Sequence, residues 1–353
     1  MKRESIVALD KKRIWHPYTA MDDYRARVDP IVVDHAAGPY LYDVDGRSYI
    51  DANSSWWVAS LGHDHPRLVE ALKRQADLNC HSALAGMTHQ VGTELGEVLC
   101  NEAPEGLDYV FFSDNGSTAV EVALKASLQY WFQNGRPSRK RFVSLEDAFH
   151  GETLGVTAIG GVELFRRPFA GAIPEHLQVP SPTKAGSLER AAEILSGVFD
   201  QHGGTLAAVV LEPVVQGAAG MQIYDPAYLQ VARKLCDEHD VLLVADEVFT
   251  GYGRTGPMWA CQHAGVVPDM MCIAKGFCGG MLPMAATLLS QRVFEGFLGD
   301  ADRAFYYGHS FCGNPLGAAV ALEVLRIYQE EQVIERARPK ACLLYTSPSP
   351  RDC

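Results

Sequence analysis

Between Asp108 and Ser290 short apolar runs alternate with longer segments of helical period, and each run ends in a polar or charged residue. The runs are Tyr109 to Ser113, Arg141 to Leu145, Ala207 to Leu211, Val241 to Ala245 and Met271 to Ala274. That alternation predicts an α/β fold of crossover units, with a mainly parallel sheet buried between helices. Ligands of such sheets gather beyond the carboxyl ends of the strands. Glu212, Asp246 and Lys275 stand at those ends and are the first candidates for chemistry.

With 353 residues, 47% of them hydrophobic and 21% charged, the chain can bury a large core and build one big domain plus a smaller one. Its 31 basic and 43 acidic side chains give a formal charge of -12, which argues against nucleic acid or an anionic membrane as the main partner. The nine cysteines are odd in number and scattered, without C-x-x-C pairs. They read as reduced thiols of a cytoplasmic protein, and no metal is expected. Met1 to Pro17 mixes charges throughout and has no apolar stretch of signal or membrane-span length.

Ile31 to Asp51 reads as short strands with turns at Ala37-Gly38-Pro39 and Asp45-Gly46, so the N-terminal part is expected to pack as a separate small layer. From Pro315 to Tyr328 apolar residues recur at helical spacing, and that helix is expected to fade in the charged stretch before Pro339. Residues 341–353 follow neither period and read as sequence foreign to the fold.

Lys275 lies in Ile273-Ala274-Lys275-Gly276, between an apolar strand and a glycine-rich loop, where its amine can hold an aldehyde cofactor as a Schiff base. Taken alone, a strand-terminal lysine is more often a solvated charge. Asp246 precedes it by about one strand-helix-strand unit, and a carboxylate there suits a pyridinium nitrogen. A helix cap or a local ion pair is the competing reading for Asp246. Gly116 and Ser117 open a helix after Asp114-Asn115, a turn whose free amides suit a phosphate but which is also common for capping alone. Phe149-His150 follows another strand end, where the ring can stack on a cofactor. Trp56 and Trp57 stand adjacent, and aromatic walls would suit a substrate with a long aliphatic chain and a sulfonium cation.

Glu212-Pro213, Asp246-Glu247, Ala274-Lys275-Gly276 and Gly313-Asn314-Pro315 occur in this order and at these spacings in the class III, or omega, aminotransferases of fold type I, and the chain resembles that family. Trp15-His16-Pro17-Tyr18-Thr19, Ser54-Ser55-Trp56-Trp57 and Gly62-His63-Asp64-His65-Pro66 resemble the branch that passes the amino group of S-adenosylmethionine to 8-amino-7-oxononanoate in biotin biosynthesis. The likeness runs from about Arg13 to Arg338. It implies pyridoxal 5'-phosphate as cofactor, bound covalently by Lys275 and paired at its ring nitrogen by Asp246. It also implies Phe149, His150 and Glu212 beside the cofactor and its phosphate on Gly116 and Ser117. His309 and Ser310 would reach the phosphate of a neighbouring subunit, which makes a homodimer. Tyr18, Trp56, Trp57, Phe149 and Gly308 fall at substrate-contact positions.

The implied domains are an N-terminal segment of a small domain (1–60), a large cofactor domain (61–312) and the start of a C-terminal domain (313–340). Four positions depart from the family pattern: Phe149 stands for the usual Tyr, Glu152 for Asp, and His309-Ser310 for Pro-Thr. No position matches the arginine that family members place in their C-terminal region for a substrate carboxylate. The rival expectations are another omega-aminotransferase using lysine, ornithine or a beta-amino acid, or an inactive truncated form.

Overall fold

The computed structural model describes residues 1–346. Near the N-terminus, β1 (Val33–Ala37), β2 (Tyr40–Asp43) and β3 (Ser48–Ile50) form an antiparallel meander turning at Gly38 and Gly46, both with positive φ. The next strands are β4 (Tyr109–Ser113), β5 (Arg141–Leu145), β6 (Leu177–Val179) and β7 (Leu206–Leu211). A small hairpin of β8 (Val215–Gln216) and β9 (Gln222–Ile223) follows, then β10 (Leu242–Asp246), β11 (Met270–Ile273) and β12 (Ala285–Leu289). Five of these strands, β4, β5, β7, β10 and β11, begin and end within a residue of the apolar runs.

Seven strands make one sheet in the order β4-β12-β11-β10-β7-β5-β6. All pairings are parallel except those of β12, which runs antiparallel to β11 and β4. Side-chain alternation splits β10 between two cores, because successive residues of a strand face opposite sides. Leu242 and Val244 pack with Val120, Ala123 and Leu124 of the helix Gly116–Gln133. Val241 and Leu243 pack with Leu195, Phe199, Leu229 and Ala232 of the helices Leu188–His202 and Ala227–Glu238. A third core joins β11 and β12 to the helices Pro66–Leu78, Gln90–Glu102 and Pro315–Glu330. Each fully buried Leu or Val contributes ~1.5–3 kcal/mol of transfer free energy, so the strand ends rest on a stiff platform.

The helix from Pro315 fades in the charged stretch before Pro339 as expected, and a further helix after it was not expected. The helix from Pro315 ends at Glu330, where Gln332 adopts φ 49°, and a second helix, Val333–Thr346, carries Pro339 inside it. Proline removes one intrahelical hydrogen bond but does not forbid the helix. Packing of Val333 and Ile334 against the third core anchors its first turn. Residues 341–346, which show no period in the sequence, continue this helix, and 347–353 lie outside the described residues. Among the described residues no helix is long and apolar enough to cross a membrane, and the seven cysteines from Cys80 to Cys312 are free thiols.

Candidate active site

The ends of β4, β5, β7, β10 and β11, together with the start of β12, open onto one cavity of about 920 Å³. Its lining includes Gly116 and Ser117 after β4, Phe149 and His150 after β5, Glu212 after β7, Asp246 on β10 and Lys275 after β11. Asp246 stands beside Cys272 in the parallel register of β10 and β11, which sets Lys275 just beyond the end of the neighbouring strand. Sequence position alone therefore brings these residues together.

The electrostatics of the cavity follow from burial. Lys275 has φ 47°, and its Nζ, which makes no hydrogen bond or ion pair among the described residues, lies 5.2 Å from the ring centre of Trp57 and 5.3 Å from that of Phe249. Burial pushes this amine below the ordinary lysine value, while Asp246 and Glu212 pull it back up. Asp246 accepts the backbone N–H of Val248 at 3.1 Å through Oδ1, and its Oδ2 lies 2.7 Å from Nδ1 of His150. The local backbone contact expected of a cap is thus real, and the second oxygen is engaged across the cavity floor. Burial pushes His150 down, but the Asp246 hydrogen bond and the nearby carboxylates outweigh it and raise the imidazole above its ordinary value. Glu212 accepts the N–H groups of Phe149 and Gly217 at 3.1 Å each, yet burial lifts its carboxyl to about 7.

At the end of β4, Asn115 and Thr118 form a capping box: Oδ1 of Asn115 accepts the Thr118 N–H at 3.0 Å, and Oγ1 of Thr118 accepts the Asn115 N–H at 3.0 Å. The box satisfies the donors at the cap and third position and leaves the Gly116 and Ser117 amides facing the cavity. That is an anion site of the helix N-terminus type. Oγ of Ser117 accepts the Glu152 N–H at 3.0 Å, and a Cβ on Gly151 would lie 2.2 Å from that oxygen. A Cβ on Gly116 would meet Val248 at 2.7 Å. Glycine at both positions lets the two turns close on each other.

The opposite walls are aromatic. Tyr18 meets Trp56 edge-on at 5.3 Å and Phe165 at 5.6 Å, Phe165 meets Phe149 at 5.7 Å, and Trp57 meets Phe249 at 5.1 Å. The Tyr18 hydroxyl donates to Glu152, and burial with that contact pushes the phenol up. Ser54, Ser55, Trp56 and Trp57 have φ values of 52°, 49°, 66° and 66°, a left-handed turn without a glycine. Each such residue costs ~1–2 kcal/mol.

Gly308, His309 and Ser310 do not line this cavity of their own chain, and the expectation for them concerns the site of a neighbouring subunit. Gly308 and Ser310 are exposed, while His309 turns back with Nδ1 2.7 Å from Oδ2 of Asp114 at the cavity edge. Their loop holds them outside because the Phe305–Tyr307 aromatics pack on Phe111 and Phe297 instead. Asp114, His309 and Cys312 bring possible ligand atoms within 4.8 Å of one another, but both His309 ring nitrogens are engaged, one by Asp114 and one by Tyr307 at 2.9 Å. Sequence reasoning missed Val248, Phe249, Phe165 and Arg254. The first two follow Asp246-Glu247 in the same turn and could have been inferred from that neighbourhood. Phe165 carried no signal. Arg254 donates to the carbonyls of Phe249 at 2.7 Å and Trp57 at 3.0 Å and has no carboxylate partner among the described residues.

Lysine, aspartate and an anion-binding turn at the ends of one mainly parallel sheet define a cofactor enzyme of the aminotransferase class. The class-III aminotransferase family matches residues 23–347, and the chain belongs to that family, whose members depend on pyridoxal phosphate. It is similar to two proteins called adenosylmethionine-8-amino-7-oxononanoate aminotransferase. One, from Geobacter sulfurreducens, is 40% identical over 347 residues, covering 95% of this chain and 76% of the relative. The other, from Nitratidesulfovibrio vulgaris, is 42% identical over 363 residues, covering 97% of this chain and 66% of the relative. The crystal structure of the enzyme of that name from Methanocaldococcus jannaschii superposes with a TM-score of 0.93 at 36% identity, covering 98% of this chain and 79% of that one. An amine transaminase from an uncultivated Pseudomonas species in its PLP-bound form gives 0.89 at 31% identity, with coverage of 94% and 78%.

Proposed function

We propose that this chain carries out the reaction for which its relatives are named, moving the amino group of S-adenosylmethionine to 8-amino-7-oxononanoate to give 7,8-diaminononanoate for biotin. The observation that carries the reading is the meeting of Lys275, Asp246 and the Gly116-Ser117 turn in one cavity walled by Tyr18, Trp56, Trp57 and Phe249. The residues fit pyridoxal phosphate. An unpaired buried amine suits its aldehyde, the buried carboxylate of Asp246 suits its ring nitrogen, and the glycine-lined turn at Gly116, Ser117 and Gly151 suits its phosphate. Phe149, His150 and Glu212 complete the surround.

When bound, the cofactor supplies an electron-withdrawing ring that stores negative charge from the reacting carbon. The protein's own groups do the rest. Lys275 Nζ, kept unprotonated more readily by burial, takes the proton from the α-carbon of the donor and returns one to the acceptor carbon, help worth about a hundredfold or more. Asp246, tied to His150, holds a positive ring nitrogen in place. Trp57 and Phe249 already turn their rings to the Lys275 amine, and aromatic faces of this kind suit the sulfonium of the donor and the aliphatic chain of the acceptor. Phe149 keeps a stacking face without a phenol. Gly308, His309 and Ser310 would serve the site of a second copy in a homodimer, a reading supported by the exposure of Gly308 and Ser310 outside their own cavity. The seven free thiols from Cys80 to Cys312 support a cytoplasmic setting.

The test is a single-turnover panel on the yellow holoprotein. S-adenosylmethionine should convert the cofactor absorbance, and 8-amino-7-oxononanoate should restore it. Lysine, ornithine or β-alanine outpacing S-adenosylmethionine would assign the chain to another omega-aminotransferase.

A further inference from the structure

We propose that Asp51 is the positioning residue of the tryptophan wall, tying the turn that carries Trp56 and Trp57 to the small N-terminal sheet. The inference rests on the reading of that wall as the donor's binding surface.

The Asp51 side chain is 9% exposed, and its Oδ2 takes two contacts from two different segments. The Ser55 hydroxyl donates to it at 2.7 Å, and Nε2 of His63 lies 2.9 Å away. Burial pushes the Asp51 carboxyl up, but these contacts outweigh it and hold the group below its ordinary value. His63 is itself fixed to the meander, because it exchanges both backbone hydrogen bonds with Gly38 at 2.8 and 3.0 Å. A Cβ on the adjacent Gly62 would approach the Gly38 backbone to 3.1 Å at φ 80°, so the two segments lie as close as glycine permits. The Gly62-His63-Asp64-His65-Pro66 motif thereby acquires a role in the site without touching the cavity.

Ser55 lies in the left-handed run from Ser54 to Trp57, a conformation that non-glycine residues keep only when their surroundings impose it. From inside the turn, Asn53 Oδ1 accepts the Trp56 N–H at a long 3.3 Å. From the cavity side, Arg254 donates to the Trp57 carbonyl at 3.0 Å. Backbone bonds from Trp57 N–H to the Asn53 carbonyl at 2.8 Å and from Val58 N–H to the Ser54 carbonyl at 2.9 Å close the turn, and the Asp51 carboxylate is the side-chain tie that links it to the meander and so acts through the backbone on the two rings. Trp56 needs such a hold because the residue is 53% exposed and its ring is steadied on the cavity side mainly by Tyr18.

Asp51→Ala, Asp51→Asn and Ser55→Ala are compared with the parent as full-chain holoproteins by single turnover with S-adenosylmethionine and by amide hydrogen exchange. Asp51→Ala should raise the donor's saturation constant about tenfold while the saturating rate and cofactor absorbance change little. Exchange of the amides of residues 54–59 should quicken about tenfold, with β10 and β11 unchanged. Ser55→Ala, on an exposed side chain, removes one contact without disturbing a core and should move both readouts the same way by about threefold. Asp51→Asn keeps an oxygen for Ser55 and should recover part of the loss. Unchanged exchange and saturation in both alanine variants would overturn the inference. So would cofactor loss with global exchange in Asp51→Ala beside an unaffected Ser55→Ala, since Asp51 would then be a folding residue only. If the parent ignores S-adenosylmethionine while Ser55→Ala still quickens exchange at 54–59, the donor assignment fails and the positioning role stands.

Discussion

Nδ1 of His150 lies 2.7 Å from Oδ2 of Asp246, and both side chains are buried at the floor of the cavity. The pair leaves Asp246 held from two sides, by the imidazole and by the Val248 N–H, so the carboxylate cannot turn away from a ring above it. Among the described residues Nε2 of His150 has no hydrogen-bond partner, which makes Asp246 the main source of favourable contact for that imidazole. The two residues are therefore coupled, and a change at one is felt at the other.

The first prediction concerns this pair. Asp246→Asn preserves shape and much of the cofactor affinity, but a neutral amide cannot hold the ring nitrogen positive. Turnover should fall by about two orders of magnitude, equivalent to about 2.7 kcal/mol of barrier, with the cofactor absorbance still present. Full activity in this variant would reduce Asp246 to its local contact with Val248.

Much of this site was legible in the sequence because parallel strands end on one side of their sheet. Glu212, Asp246 and Lys275 close consecutive apolar runs, and the register of β10 with β11 makes them neighbours without any knowledge of loops. The Gly116-Ser117 turn was legible from strand-then-helix periodicity. The aromatic wall was legible only in part, since Trp56 and Trp57 announce themselves as a pair whereas Phe165 enters through a four-residue helix that no period marks. The left-handed run at Ser54 to Trp57 was invisible, because serine and tryptophan carry no preference for positive φ and the anchor lies in separate segments. The second helix, through Pro339, was not foreseen for the opposite reason, because proline is a strong local signal that the packing of Val333 and Ile334 overrides.

A second prediction follows from Glu212. Its carboxyl titrates ordinarily at 4.5 but at about 7 in the folded chain, so between those values the native state keeps a proton that the unfolded state has lost. A raised carboxyl therefore gives its full stabilisation below the unfolded value and loses it as pH rises through the folded one. The loss amounts to about 3 kcal/mol at most across that window. In cofactor-free protein, Glu212→Gln should gain on the parent by up to that amount between pH 4.5 and pH 8, measured by denaturant unfolding. A difference that stays flat with pH would show that Glu212 is ionised throughout.

The third prediction tests the anion turn. Gly151 has φ 125° and leaves no room for a Cβ, which would fall 2.2 Å from Oγ and 2.7 Å from Cα of Ser117. Gly151→Ala must push the two turns apart and misalign the Gly116 and Ser117 amides. Cofactor affinity should drop at least about tenfold, or about 1.4 kcal/mol, while secondary structure by circular dichroism is retained. Dialysis against phosphate-free buffer should strip the variant faster than the parent, and equal retention would place the phosphate elsewhere.

The last prediction addresses the exposed loop. Ser310 lies outside its own cavity with no side-chain hydrogen bond among the described residues, whereas Lys275 lies inside. If the loop completes the site of a second copy, defects at the two positions fall in different sites of a mixed dimer. Lys275→Ala should be inactive because the amine is gone, and Ser310→Asp should be nearly inactive because a carboxylate would face a phosphate at close range. Mixing the two and allowing subunits to exchange should then rebuild one intact site in each mixed dimer, which takes its lysine from one chain and its serine from the other. Random pairing makes half the dimers mixed, so activity should recover to about one quarter of the parent's. The alternative is equally definite. A Ser310 that serves only its own chain leaves every site of the mixture carrying one defect or the other, and no activity returns however long the subunits exchange.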